Sequence, residues 1–80
     1  MDKQNERLRE IADAMIKECE RATTLFSPFG SAHEGYAVIL EEFDELWAEI
    51  KAKKSNSKKL RKEATQVGAM VMRFILDCLP

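Results

Sequence analysis

Several residue types are scarce in this 80-residue chain, and their scarcity excludes whole classes of protein. Its two cysteines and single histidine do not form a zinc-binding signature. We expect Cys19 and Cys78, each at an apolar helical position, to be reduced thiols of a cytoplasmic protein rather than a disulfide. The chain shows no signal peptide and no apolar run long enough to span a bilayer, so a membrane partner is not expected.

The charge of the chain is nearly balanced, with 13 basic and 14 acidic residues and a net charge of -1. This balance argues against a general nucleic-acid-binding protein. A content of 45% hydrophobic and 34% charged residues fits a folded helical protein rather than a disordered one. We therefore expect a single domain over residues 1–80, near the size at which one chain struggles to bury enough apolar surface.

Apolar residues recur at helical spacing in three segments, and breaks in the pattern separate them. Pro28 and Gly30 produce the first break. At the second break, Ser55-Asn56-Ser57 forms a short polar turn suited to capping the last segment. The short connections predict an all-α fold of three antiparallel helices. The expected helices are residues 5–23, 31–54 and 58–78.

The central segment begins with Ser31-Ala32-His33-Glu34, which has the form of a capping box. Three carboxylates, those of Glu42, Glu45 and Glu49, lie along one flank of its apolar stripe and repel one another. No Lys or Arg occurs between Ala22 and Ile50 to pair with them locally. They form either a solvated acidic face or a cation site. The stripe itself consists of Tyr36, Ile39, Leu40, Phe43, Leu46, Trp47 and Ile50.

The third helix has two apolar stripes on nearly opposite sides. A helix that is apolar on both sides is normally buried on both sides, and three short helices of one chain are not expected to cover both. We therefore expect self-association into a dimer or tetramer, that is, a larger helical bundle. The main stripe is Leu60, Ala64, Val67, Val71, Phe74 and Cys78, and the second is Ala69, Met72, Leu76 and Leu79.

The second and third helices together suggest a metal site. In an antiparallel hairpin about the turn at residues 54–56, Glu45 comes level with Glu63, and Glu42 comes level with Gln66. The carboxylate of Glu63 falls near an apolar stripe, where it is costly unless it is paired or bound to a cation. Four hard oxygen donors in a small volume point to Mg²⁺, with Mn²⁺ as an alternative.

Basic residues crowd the turn between these two helices. Those that open the third helix lie at the unfavourable end of its dipole, so attraction for phosphate is a candidate compensation and a solvated face is the alternative. Amines for a polyphosphate beside carboxylates for a metal suggest a nucleoside triphosphate as ligand, and there is no glycine-rich phosphate loop. These residues are Lys51, Lys53, Lys54, Lys58, Lys59, Arg61 and Lys62.

The far end of the hairpin has several open roles. Phe26 and Phe29 flank the first break, where they either plug the end of the bundle or form the wall of a ligand pocket. Asp77 comes level with Ser31, where it either anchors that end or contacts a base. His33 is either a substrate contact or a structural residue beside the cap.

At the sequence level, Glu41-Glu42-Phe43-Asp44-Glu45, followed after 17 residues by Glu63-Ala64-Thr65-Gln66, resembles the EExxE…ExxD signature of the MazG-like, all-α NTP pyrophosphohydrolases. The phrases HEGYAVILEEFDELWAEI and EATQVGAMVMRFILD look like compact, single-domain members of that group. The resemblance covers roughly residues 31–78. It implies Mg²⁺-dependent hydrolysis of a nucleoside triphosphate between the α and β phosphates, yielding a monophosphate and pyrophosphate. It also implies helical dimers or tetramers.

Carried onto this chain, the resemblance assigns a role to each motif residue. The metal ligands are Glu42, Glu45 and Glu63, and the fourth position falls on Gln66, whose amide replaces a carboxylate. Glu41 and Glu45 are the candidates that orient the attacking water. The expected substrate contacts are Lys58, Lys59, Lys62, His33 and Trp47, although Trp47 suits the core better than a base contact. The alternative is a non-catalytic helical module that keeps the scaffold and binds nucleotides.

Overall fold

The structure, a computed structural model, describes residues 2–80 and contains three α-helices and no strand in that range. The prediction of an all-α fold is confirmed. The first helix extends beyond the expected 5–23 at both ends, and the second ends three residues before the expected Lys54. None of the three is both long enough and apolar enough to cross a membrane. They are α1 (Asp2–Leu25), α2 (Ala32–Lys51) and α3 (Ser57–Cys78).

Side-chain caps fix where α2 and α3 begin. The Ser31 hydroxyl accepts a hydrogen bond from the Glu34 amide at 3.1 Å, and the Asn56 side chain accepts one from the Lys59 amide at 2.9 Å. Each bond satisfies one of the backbone donors that a helix start leaves free. The second helix stops at Lys51 because Ala52 adopts an extended conformation, with φ -66° and ψ 138°.

The third helix is the centre of the fold. Within residues 2–80, α1 and α2 each pack against α3 and do not pack against each other. Contacts between α2 and α3 follow an antiparallel register, with Gly35 beside Phe74 and Glu45 beside Glu63. Both sides of α3 are therefore covered, at least partly, within one chain.

This arrangement corrects the expectation that one chain leaves the second stripe of α3 uncovered. Ala69 is 0% exposed and Met72 is half-buried, because α1 and α2 lie on different sides of α3. Only Leu76 and Leu79 of that stripe remain exposed.

The core is small and lies towards one end of the helices. Residues 2–11 of α1 are exposed throughout, so α1 packs through its second half. Both cysteines are free thiols, Cys19 in the core and Cys78 against it. The buried apolar residues are Cys19, Ala22, Phe29, Ala69 and Met70, with Val38, Ile39, Met72, Phe74 and Cys78 packed around them.

The second helix is rotated relative to its apolar pattern. Its predicted stripe, centred on Phe43, lies mostly outward, with only Ile39 and Leu46 among its less exposed residues. The close contact at Gly35, which has no side chain to hold the helices apart, selects the inward face. The least exposed residues of α2 are Gly35, Val38, Ile39, Glu42, Leu46 and Glu49, whereas Tyr36, Leu40, Phe43, Trp47 and Ile50 are 45–63% exposed.

Two glycine substitutions test this packing. A Cβ added at Gly35 would lie 2.7 Å from a ring carbon of Phe74, whereas one added at Gly68 would lie 2.5 Å from the sulfur of Met15. The rigid ring must shift, but the flexible methionine side chain can turn away. Overpacking costs about 1–3 kcal/mol of stability, and alanine in place of glycine in a helix regains roughly 1 kcal/mol. We therefore expect Gly35→Ala to lower the free energy of unfolding by about 1 kcal/mol.

The matched variant Gly68→Ala should be neutral or more stable, by up to about 1 kcal/mol. Urea unfolding followed by circular dichroism measures both. Equal stability changes in the two variants would contradict the close approach of α2 to α3 at Gly35.

Candidate metal centre and adjoining cavity

Three carboxylates from two helices meet between α2 and α3. Glu42 and Glu45, one turn apart on α2, and Glu63 on α3 each offer an oxygen, and these oxygens lie within 4.8 Å of one another. The antiparallel register predicts this meeting. Glu42 and Glu63 are half-buried and Glu45 is exposed, so the group, here called the carboxylate cluster, is open to solvent on the side of Glu45.

The electrostatics of the carboxylate cluster are unfavourable without a cation. Burial, followed by repulsion from Glu45, Glu63 and Glu41, raises the pKa of Glu42 from its ordinary value of 4.5 to about 7. One oxygen of Glu42, Oε2, is buried and has no hydrogen-bond partner within residues 2–80. No Lys or Arg in that range forms an ion pair with any of the three carboxylates. A divalent cation that prefers hard oxygen ligands fits this donor set.

The acidic flank of α2 is not the fully solvated face that the sequence allowed. Glu49, two turns after Glu42, is also half-buried, and its Oε1 atom is buried without a hydrogen-bond partner among the described residues. Of the three carboxylates on this flank, only Glu45 is exposed. The packing against α3 therefore confines negative charge that the sequence pattern alone would place in water.

A cavity of about 450 Å³ adjoins the carboxylate cluster. All three helices and the loop between α1 and α2 contribute to its wall, so it exists only in the folded chain. Glu42 belongs to both the cavity and the cluster, so the two meet at this residue. The apolar wall consists of Ala22, Phe26, Phe29, Val38 and Met70, and the polar wall of Glu18, Arg21, Ser27, Glu34, Glu42, Gln66 and Arg73.

The fourth motif position, Gln66, lies on the α1 side of the site. It is half-buried and borders both the cavity and a groove between α1 and α3. Its amide lies near Glu18, whose pKa is lowered chiefly by Arg21; the Nε atom of Arg21 donates to the two carboxylate oxygens of Glu18 at 2.9 and 3.0 Å. Glu18 thus brings a further carboxylate to the wall that Gln66 shares.

Sequence reasoning missed Glu18 and Arg21 because their spacing is that of an ordinary surface ion pair on a helix. It also missed Arg73, which lines the cavity from α3. A signal for Arg73 was present, since it is the only basic residue after Lys62 and lies two turns from Gln66 on the same flank.

The predicted basic contacts differ in position. Lys58, Lys59 and Lys62 are all exposed in the first turns of α3. Only Lys62 borders the groove that reaches Gln66, and Lys17 and Arg21 from α1 lie along the same groove. Lys62 is therefore the one of the three with a described place beside the site.

The remaining predicted residues lie outside the cavity. Glu41 is exposed, although its charge contributes to the raised pKa of Glu42. His33 borders a separate surface pocket with Tyr36 and Phe74. Trp47 is 56% exposed, and its ring centre lies 5.3 Å from the Nζ atom of Lys51. The structure therefore does not bring His33 or Trp47 to the cavity, and aromatic walls there come from Phe26 and Phe29 instead.

The raised pKa of Glu42 leads to a test of the metal-free protein. Because this pKa is higher in the folded chain than its ordinary value, ionisation of Glu42 lowers the free energy of unfolding as pH rises from 4.5 through about 7. Glu42→Gln, which removes that ionisation, should therefore raise the melting temperature in EDTA at pH 8 and have little effect near pH 4.5. Asp44→Asn, on the exposed side of α2, is the matched control. A melting-temperature difference that is the same at both pH values would contradict the crowding of these carboxylates.

Comparison of the chain with protein-family models, with curated proteins and with solved structures found no match. No family is identified by these comparisons.

Proposed function

We propose that the protein is a Mg²⁺-dependent nucleoside triphosphate pyrophosphohydrolase that converts an NTP or dNTP to its monophosphate and pyrophosphate. The observation that carries the proposal is the meeting of Glu42, Glu45 and Glu63 from two helices, with a buried and unpartnered oxygen on Glu42. These carboxylates and the amide oxygen of Gln66 would hold Mg²⁺ or Mn²⁺. The resemblance of EEFDE and EATQ to the EExxE…ExxD signature supports the same assignment.

The chemistry of the proposed reaction is simple in outline. A water oxygen attacks the α-phosphorus, the bond to the α,β-bridging oxygen breaks, and pyrophosphate leaves. A bound divalent cation supplies Lewis acidity to the phosphate oxygens. From the chain, the exposed carboxylates of Glu41 and Glu45 would accept a hydrogen bond from the attacking water, and Lys62 would contribute positive charge beside Gln66.

One observation favours a second candidate, a nucleotide-binding helical module without catalysis. Gln66 stands where the motif has a carboxylate, so the ligand set holds three negative charges rather than four. A weaker cation site would bind nucleotide without turning it over. Pyrophosphate release from a panel of NTPs and dNTPs, with Mg²⁺ and with Mn²⁺, separates an enzyme from such a module.

We also propose that the protein functions as a homodimer or homotetramer. The outward stripe of α2 continues onto α3, because Tyr36 and Phe74 border the same surface pocket. Each Å² of apolar surface left in water forgoes about 25 cal/mol, and an aromatic side chain buries roughly 150–250 Å². Covering Tyr36, Phe43 and Trp47 is therefore worth several kcal/mol, comparable to the whole stability of a small domain. A second copy of the chain covers this stripe with no other partner.

The carboxylate cluster is tested by Glu63→Gln, which removes one charge at nearly constant shape. Loss of a residue that only orients a metal ligand lowers metal affinity or activity by roughly 10- to 100-fold. Because Glu63 is a proposed ligand itself, we expect Mg²⁺-dependent nucleotide binding and pyrophosphate release to fall by at least that factor. The same Asp44→Asn variant is the control and should keep both. Calorimetric titration measures binding, and pyrophosphate release measures hydrolysis. Unchanged values for both in Glu63→Gln would remove Glu63 from the site.

Self-association is tested by charges placed at exposed apolar positions of α2 and α3. Phe43→Glu and Leu76→Glu, at positions that are 50% and 67% exposed, should dissociate an oligomer while leaving the core of each chain intact. Thr24→Glu, exposed on α1, is the control. Sedimentation equilibrium at micromolar concentration measures the mass. A wild-type mass near the 9.2 kDa of one chain would contradict self-association.

A further inference from the structure

Arg73 is the buried charged residue of the described chain, only 4% exposed in the second half of α3. Its guanidinium lies 4.3 Å from the ring centre of Phe29. The Nη2 atom donates to the carbonyl oxygen of Ser27 at 2.8 Å and lies 3.9 Å from Oδ2 of Asp77. A buried cation of this kind needs hydrogen-bond acceptors on all sides, because its desolvation is otherwise uncompensated.

The acceptors around Arg73 are too few for its donors. A guanidinium has five N–H groups. Within residues 2–80, Nε is buried and has no hydrogen-bond partner, and the contact of Nη1 is with the weakly accepting sulfur of Met70 at 4.0 Å. The carboxylate of Asp77 is shared, since its Oδ2 atom also accepts the backbone N–H of Phe29 at 3.0 Å. Arg73 therefore has hydrogen-bond donor capacity that no described residue satisfies.

That donor capacity belongs to a cavity with the properties of a ligand site. Arg73 lines the cavity together with the aromatic side chains of Phe26 and Phe29. Its volume of about 450 Å³ lies in the range of roughly 300–1,000 Å³ that small-molecule sites occupy. The apolar part of the wall, which includes both aromatic side chains, suits a flat heteroaromatic ring, and the polar part supplies hydrogen-bonding groups. Glu42 borders both the cavity and the carboxylate cluster. The phosphates of a nucleotide whose ring is bound in the cavity would therefore lie towards the cluster.

We propose that this cavity binds the nucleobase and that Arg73 selects bases with a carbonyl oxygen, rather than an amino group, at C4 of a pyrimidine or C6 of a purine: uracil, thymine and guanine. A carbonyl oxygen accepts from the guanidinium, whereas the exocyclic amino group of cytosine or adenine would present a donor to a donor. In the selected bases a ring N–H adjoins the carbonyl, and Glu34 brings a carboxylate acceptor to the same cavity. The base selection rests on the proposed function for its substrate, a nucleotide, and adds the residue that chooses among nucleotides.

Arg73 also holds the loop between α1 and α2 through Ser27, so a change at this position affects folding as well as binding. The test therefore uses a ratio of two ligands on the same protein sample, which does not depend on the fraction that is folded. Uridine and guanosine are compared with cytidine and adenosine by NMR titration in EDTA, where neither metal nor phosphate contributes. Pyrophosphate release from UTP and from CTP is measured in parallel with Mg²⁺.

We expect uridine and guanosine to bind at least about 10-fold more tightly than cytidine and adenosine, the ratio that corresponds to one good hydrogen bond. Arg73→Lys keeps the charge but loses the planar fork, and should bring the ratio close to one. Arg9→Lys, exposed on α1, is the matched control and should keep the wild-type ratio. If Arg73→Lys does not fold, Glu34→Ala should weaken uridine binding more than cytidine binding.

Two results would overturn the role of Arg73: equal binding of the four nucleosides, or a wild-type ratio in Arg73→Lys. Either result accompanied by pyrophosphate release leaves the proposed hydrolase standing and removes only the base selection. A third result is selective nucleoside binding without pyrophosphate release. It supports the base site and rejects the hydrolase in favour of the nucleotide-binding module.

Discussion

The packing of α2 on α3 is the constraint on which the rest of the molecule depends. At one end of this hairpin, the rings of Phe29 and Phe74 approach α2 closely at Gly35. At the other end, the same face of α2 brings Glu42 against Glu63. Apolar contact at the first end therefore holds repelling charges together at the second. A fold that keeps such repulsion gives up stability where the proposed cation site lies, as functional sites commonly do.

The loop between α1 and α2 joins the end of the bundle to the cavity. Asp77 accepts the backbone N–H of Phe29, which confirms that Asp77 anchors this end of the hairpin. Phe29 itself is 7% exposed and also lines the cavity, so it both closes the end of the bundle and forms part of the cavity wall. Phe26 is 59% exposed, so it contributes to the cavity wall but does not close the end of the bundle. The bonds that hold the loop thus also determine the shape of the cavity.

Apolar periodicity, capping residues and the position of the turn were sufficient to predict the three helices, the caps at Ser31 and Asn56, and the register that brings Glu45 beside Glu63. They were not sufficient for the rotation of α2. Periodicity identifies an apolar face but not its partner, and the most apolar face of α2 points away from α3. Arg73 was missed because its burial depends on contacts with Ser27 and Phe29, more than 40 residues away in the chain.

The central position of α3 has a consequence for how the molecule comes apart. Because α1 and α2 pack against α3 and not against each other within the described chain, detachment of α1 would leave the hairpin contacts between α2 and α3 in place. The carboxylate cluster belongs entirely to that hairpin, whereas the cavity also needs Ala22 and Glu18 of α1. Opening of α1 would therefore remove part of the wall around the proposed base site and leave the proposed cation ligands in place. The proposed cation binding and the proposed recognition of the base therefore depend on different sets of helices within the same small fold.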